Sequence, residues 1–196
     1  MGGEERFVRK LDSLFILETT DEKYKHVEDI AGLIGQYAHG NEPSHHVVYL
    51  YAYAGEQWKT AEKVRFILEN LYSDLPDGIC GNEDCGQMSA WYVFSSLGFY
   101  PVNPVNGVYV LGSPLNKEAT LHLENDMTFT VKTINNTQEN IYIQSATLNG
   151  KPYEKSFITH SDLLKGGILE IILGPQPNKK FGYMPGNRPY SRKVHQ

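Results

Sequence analysis

A chain of 196 residues with 40% hydrophobic and 21% charged side chains can bury one full core or two small packed units, and its composition is that of a globular protein. The net charge of −5 excludes nucleic acid as the main partner, because phosphate binding needs a basic face. No apolar run approaches the roughly 20 residues of a membrane span, and Met1-Gly2-Gly3-Glu4-Glu5-Arg6 shows no apolar leader stretch.

In chain order, Phe7, Leu11, Leu14 and Phe15 form the first stripe at helical spacing. Residues 45–54 (His-His-Val-Val-Tyr-Leu-Tyr-Ala-Tyr-Ala) carry no formal charge and predict a helix buried on every side. Val64, Ile67, Leu68, Leu71 and Tyr72 mark an amphipathic helix after it. Residues 86–97 are again without a charged side chain and predict a second buried helix, lying beside the first and parallel to it. A buried, amphipathic, buried alternation is what a toroid of inner and outer helices requires. Residues 1–97 are therefore expected to be part of an (α/α)6 barrel that begins elsewhere, since the chain starts abruptly in a helical pattern.

At Gly98 the period falls to two. Thr120-Leu121-His122-Leu123, Thr128-Phe129-Thr130-Val131 and Ile141-Tyr142-Ile143 alternate as half-buried strands do. Asn149-Gly150 is a hairpin signal, and the apolar run from Ile168 to Leu173 predicts a central strand. Residues 98–196 thus read as an antiparallel, sandwich-like region, and the whole as α+β. From Pro175 onward proline and glycine dominate, and the basic residues there (Lys179, Lys180, and Arg188 to Lys193) read as a solvated terminus. Cys80 and Cys85 are read as reduced, partly buried thiols, with a local disulfide as the alternative.

Two acidic segments share one grammar. His39-Gly40-Asn41-Glu42-Pro43-Ser44-His45-His46 opens the first uncharged helix, with Pro43 suited to its first position and Glu42 or a neighbour as cap. Cys80-Gly81-Asn82-Glu83-Asp84-Cys85-Gly86-Gln87 opens the second, where Asp84 and Gln87 have the spacing of a capping box. If the two helices are parallel, both Gly-Asn-Glu motifs reach the same rim. A helix N-terminus favours an ionised carboxylate, so Glu42, Glu83 and Asp84 suit a metal ligand or a general base better than a general acid. Asn and Glu oxygens, with backbone carbonyls and water, make a set suited to calcium. Simple capping is the competing account of each motif.

The two strings, the second continuing Met88-Ser89-Ala90-Trp91-Tyr92, closely resemble signature blocks of glycoside hydrolase family 92. Leu97-Gly98-Phe99-Tyr100-Pro101-Val102, Leu111-Gly112-Ser113-Pro114, and Ile143-Gln144-Ser145-Ala146 with Leu148-Asn149-Gly150 are similar to later blocks of that family, in the same order. The resemblance implies an exo-acting, inverting, calcium-dependent α-mannosidase, mostly bacterial and exported to the periplasm or cell surface. It implies Asp84 as general base, with Glu83 in the same block, and Asn41 and Glu42 in the metal's neighbourhood. His39, His45 and Gln87 are implied sugar contacts. Family members are several times longer, and their general acid lies upstream with no counterpart in residues 1–38. The chain is therefore expected to be inactive alone and to need the N-terminal part of the same enzyme, with a dimer through an exposed apolar flank as a further expectation. A carbohydrate-binding or structural module is the non-catalytic alternative.

Overall fold

In the computed structural model, residues 2–17 and 30–190 are described. Helix α1 (Glu4–Ile16) starts with Glu4 and Glu5, which suit the positive end of the helix, and buries Leu11 and Phe15. A minimal hairpin follows, β1 (Leu33–Ile34) and β2 (Tyr37–Ala38).

The expected helix over residues 45–54 is a correction. The segment is a 3-10 turn, Val47–Tyr49, running into a single α-turn, α2 (Leu50–Tyr53), and Gly55 ends it at φ 80°. Two successive valines and three tyrosines have low intrinsic helix propensity, and tertiary burial rather than local preference holds them. Val48, Tyr49, Tyr51 and Ala52 have no exposed surface. Helix α3 (Gln57–Asn70) is the amphipathic one. Helix α4 (Gln87–Leu97) buries Met88, Trp91 and Ser95 but leaves Val93 53% exposed, so it is not enclosed on every side.

The two uncharged segments lie side by side in the same direction. Near their starts the Gln87 amide donates to His45 Nδ1 (3.3 Å) and Trp91 Nε1 donates to the His45 carbonyl (3.1 Å). One turn further on, the Tyr49 and Ser95 hydroxyls meet at 2.7 Å.

Gly98 ends α4 at φ 102°, and a Cβ there would sit 2.4 Å from Pro114, so only glycine lets the chain turn here. Strands β3 (Phe99–Asn103) and β4 (Val108–Leu111) follow, then β5 (Glu118–His122), β6 (Thr128–Ile134), β7 (Tyr142–Leu148), β8 (Lys151–Pro152) and β9 (Phe157–Thr159). After the short helix α5 (His160–Leu164) comes β10 (Gly167–Gly174). One sheet has the order β3-β4-β9, the other β5-β6-β10-β7-β8. Asn149 and Gly150, at φ 53° and 75°, make the expected two-residue turn between β7 and β8. Strand β10 is central, as its apolar run predicts. It differs from the antiparallel expectation in one respect: it inserts between β6 and β7 and pairs with β6 in parallel.

Both sheets contribute to one core, where Phe99 and Leu111 meet Phe129, Val131, Ile143, Leu169 and Ile171. The helical segment has its own core around Tyr37, Tyr49, Tyr51, Val64, Ile67 and Trp91, and Val110 of β4 belongs to it. Residue 98 therefore marks a change of element rather than a gap between units. Helix α3 joins them through polar groups. Gln57 donates to the carbonyls of Leu111 (3.2 Å) and Gly112 (3.0 Å). The buried Arg65 guanidinium reaches the Pro114 carbonyl (2.6 Å), the Asn136 amide oxygen (2.9 Å) and Ser113 Oγ (3.3 Å).

The tail after Pro175 has little regular structure but is not simply solvated. Phe181 enters the sheet core, and Arg188 Nη1 donates to Glu4 Oε1 at 2.7 Å. Residues 191–196, part of the basic stretch, lie outside the described residues.

Candidate active site

The repeated glycines explain why the two acidic motifs come together. A Cβ built on Gly81 would lie 2.4 Å from the Gly40 carbonyl oxygen and 2.7 Å from Gly40 Cα. The two Gly-Asn-Glu segments therefore cross backbone against backbone, an approach that any side chain at residue 81 would block. Beyond this crossing the Glu42 and Asp84 carboxyls face each other closely enough to share a hydrogen bond when one holds a proton. That bond is the first reason the Asp84 carboxyl titrates above the usual range; loss of surrounding water and repulsion by the Glu42 charge add to it.

The cap assignment is corrected. Helix α4 is preceded by Gly86 with a left-handed backbone, and no Asp84–Gln87 capping box forms. Glu83 does the capping: its Oε1 accepts from the Ser89 amide (3.1 Å) and its Oε2 from the Ser89 hydroxyl (3.0 Å). Asp84 is left exposed and strained, at φ 46°, followed by Cys85 at φ 58° and Gly86 at φ 87°. Left-handed conformations in non-glycine residues cost about 1–3 kcal/mol each and cluster at functional sites. In the first motif the 3-10 turn Glu42–Ser44 has Asn41 at its N-cap position, without a side-chain capping bond. Cys80 and Cys85 are free thiols, Cys80 half-buried and Cys85 exposed.

His39 and His45 are 0% and 1% exposed, so neither ring presents a surface to a sugar; further chain around them could only bury them more. Their nitrogens are engaged inside the protein. Tyr72 donates its hydroxyl hydrogen to the Met88 carbonyl (3.2 Å), so it accepts from His39 Nε2 (2.8 Å), and His39 Nδ1 accepts from Tyr37 (2.9 Å). His45 Nε2 donates to the His39 carbonyl (3.0 Å). Gln87 is half-buried, and its amide nitrogen also reaches the Tyr100 hydroxyl at 3.4 Å. In the sequence Tyr72 stands out only as part of a helical stripe, Trp91 and Tyr100 only within longer blocks, and Tyr37 not at all, because their shared role appears only once the two motifs touch.

Burial, with the neighbouring His45 second, lowers the His39 pKa from 6.5 to about 3. An unfolded His39 takes up a proton below pH 6.5 while the folded one stays neutral to about 3. The unfolded state thus binds more protons in that window, and stability present above pH 6.5 is lost as the pH falls through it. The limiting slope for one such group is about 1.4 kcal/mol per pH unit. Urea midpoints measured from pH 7.5 down to 4.5 should fall, and a His39→Gln variant should fall less steeply. Equal slopes would show that His39 does not carry the effect.

Among the described residues, no group of three His, Cys, Asp or Glu side chains is arranged to hold a metal. The donor set at the crossing is smaller: two facing carboxylates, Glu42 and Asp84, with the Asn41 amide next in sequence to Glu42. Hard anionic oxygens in mutual repulsion suit a hard divalent cation as part of its shell.

The Glycosyl hydrolase family 92 catalytic domain profile matches residues 1–175. The chain belongs to glycoside hydrolase family 92. An uncharacterized secreted glycosidase of Arthroderma benhamiae is 35% identical over 179 residues, covering 90% of this chain and 21% of that protein. A solved family GH92 α-mannosidase of Bacteroides thetaiotaomicron is 41% identical with a TM-score of 0.89, over 96% of this chain and 25% of its own. That protein has also been solved in complex with mannoimidazole. A family GH92 inverting mannosidase of Bacteroides thetaiotaomicron VPI-5482 is 40% identical with a TM-score of 0.84, over 97% of this chain and 27% of its own. The chain thus spans about a fifth to a quarter of the length of these relatives.

Proposed function

We propose that these residues form the C-terminal part of an exported, inverting, calcium-dependent α-mannosidase that removes terminal mannose from glycans. The observation that carries the reading is the backbone crossing at Gly40 and Gly81, which sets Glu42 against an exposed, strained Asp84. Names of the relatives supply the substrate class and the stereochemical course, and the secreted relative supports export.

Asp84 is the general base in this reading. Its carboxyl titrates above the ordinary range because of Glu42, which makes it a better acceptor for the proton of an attacking water. Glu42 is too close to Asp84 to be the acid partner, since an inverting pair stands about 6.5–9.5 Å apart with water and sugar between. The family resemblance puts the acid upstream of this stretch, and we assign it to a part of the enzyme outside these 196 residues. Asn41 and Glu42 would contribute to the calcium shell. A bound calcium ion would offset the paired negative charge and hold sugar hydroxyls. Glu83 shapes the loop and does not react, and Gln87, half-buried beside Asp84's loop, is the sugar contact retained from the sequence. The exposed face of α4 around Val93 is the surface we assign to the rest of an (α/α)6 barrel; in the isolated chain it is left to pair with a second copy.

The test is calcium-dependent release of mannose. The intact enzyme carrying these residues should hydrolyse an aryl α-mannoside with calcium supplied, lose that activity in EDTA, and regain it on calcium addition. The 196-residue chain alone should show none. Turnover by the chain alone would place the acid inside it, and failure of the intact enzyme with calcium present would overturn the assignment.

A further inference from the structure

Between the two acidic loops and the rest of the helical half lies a cluster of buried and half-buried rings. His39 packs on Trp91 at 4.4 Å and on His45 at 4.8 Å between ring centroids, and Tyr72 stacks on Trp91 at 6.0 Å. We propose that Tyr37, His39, His45 and Tyr72 form a positioning brace that fixes the two acidic loops against each other and so sets the approach of Glu42 to Asp84. The inference rests on reading that pair as the site.

The connections are specific. The first loop is held at both ends: at His39 through its ring and carbonyl, and at His45 through its ring and its carbonyl, which accepts from Trp91. Asn41 and Glu42 lie between those anchors. On the other side the bonds end on Gln87 and Met88. The backbone amides of these same two residues donate to the carbonyls of Asp84 (3.2 Å) and Glu83 (3.3 Å). The path from Tyr37 thus runs through His39 and Tyr72 to Met88 and then to the strained loop, with each donor matched to one acceptor. Because Tyr72 spends its only hydrogen on Met88, His39 must be protonated on Nε2, and that tautomer requires the Tyr37 hydroxyl as donor to Nδ1. Breaking one bond leaves the next group mispaired, which is how a residue with no surface at the cleft can move the carboxylates.

Three variants of the intact enzyme test this on p-nitrophenyl α-mannoside with calcium supplied. A misplacement near 1 Å costs on the order of 10²-fold in rate. Tyr72→Phe and His39→Phe should therefore lower kcat at least about tenfold with KM changed by less than about threefold, the pattern of lost transition-state positioning. His39→Gln, which can keep one donor and one acceptor, should stay within about threefold of wild-type kcat, a rescue that packing volume alone would not give. Hydrogen exchange at the amides of residues 40–45 and 83–89 supplies a readout independent of turnover, and should quicken in both segments in Tyr72→Phe. Native exchange rates in both segments would overturn the brace, and quickened exchange with unchanged kcat would overturn its link to the site. If the wild-type enzyme released no mannose, the exchange result would still decide the brace while the functional reading failed by itself.

Discussion

Asp84→Asn in the intact enzyme should lower kcat by about 10²–10⁴-fold, the usual contribution of a positioned base, while leaving the fold in place. The substitution is nearly isosteric, and asparagine is among the residues that tolerate the left-handed backbone Asp84 adopts at φ 46°. Asp84 makes no capping bond to α4, so its charge can be removed without unpairing a helix end. Removing it also relieves the repulsion from Glu42, so the variant should unfold no earlier than the wild type. Glu83→Ala should behave in the opposite way. It leaves the Ser89 amide and hydroxyl without their acceptor, which costs about 1 kcal/mol of stability, and it lowers activity only as far as the loop shifts. Turnover of an aryl mannoside and urea unfolding, measured on both variants, separate the two roles. An Asp84→Asn enzyme retaining a third or more of wild-type kcat would remove Asp84 from the chemistry, and one that failed to fold would make it a structural residue after all.

That division between neighbours shows where the sequence is informative and where it stops. The Gly-Asn-Glu repeat, at the head of two segments without charge, pointed to the two motifs lying together if those segments run parallel, as they do. The reason they meet, glycine backbone lying on glycine backbone, depends on a contact 41 residues apart in the chain that no local pattern encodes. Cap spacing pointed to Asp84, because any acid three residues before Gln87 satisfies the pattern. The left-handed run from Asp84 to Gly86 turns the chain so that Glu83 takes that position instead. Local turn chemistry was legible at Asn149-Gly150, and so was the burial of the run ending in β10. The parallel pairing of β10 with β6 was not, because alternation specifies which face is buried and says nothing of a strand's neighbour. Residues 45–54 failed in a related way: absence of charge reports burial, and burial is equally compatible with a 3-10 turn. His39 and His45 were sugar contacts only by resemblance to the family, yet both rings are buried, that of His39 against Tyr37, from a hairpin, and Tyr72, two residues past the end of α3, neither of which the motif includes.

Trp91→Ala should be among the most destabilising single changes in the helical half, by about 3–5 kcal/mol. The indole has no exposed surface, and its ring lies within 6.4 Å, centroid to centroid, of His39, His45, Tyr49, Tyr72 and Tyr100. Truncation leaves a cavity bounded by rigid rings that cannot collapse into it, and the His45 carbonyl loses the Nε1 donor at 3.1 Å. Trp91→Phe separates these contributions. It keeps most of the aromatic volume and forfeits the hydrogen bond, so it should cost less, nearer the roughly 1–3 kcal/mol of an unpaired buried acceptor together with a small void. Denaturant unfolding followed by far-ultraviolet circular dichroism measures both. Because Trp91 also anchors the end of the first acidic loop, Trp91→Phe should reduce turnover of the intact enzyme more than its modest loss of stability would suggest. A loss below about 1 kcal/mol for Trp91→Ala, far under the range for a fully buried tryptophan, would mean that the packing around the two motifs is looser than the close ring contacts indicate.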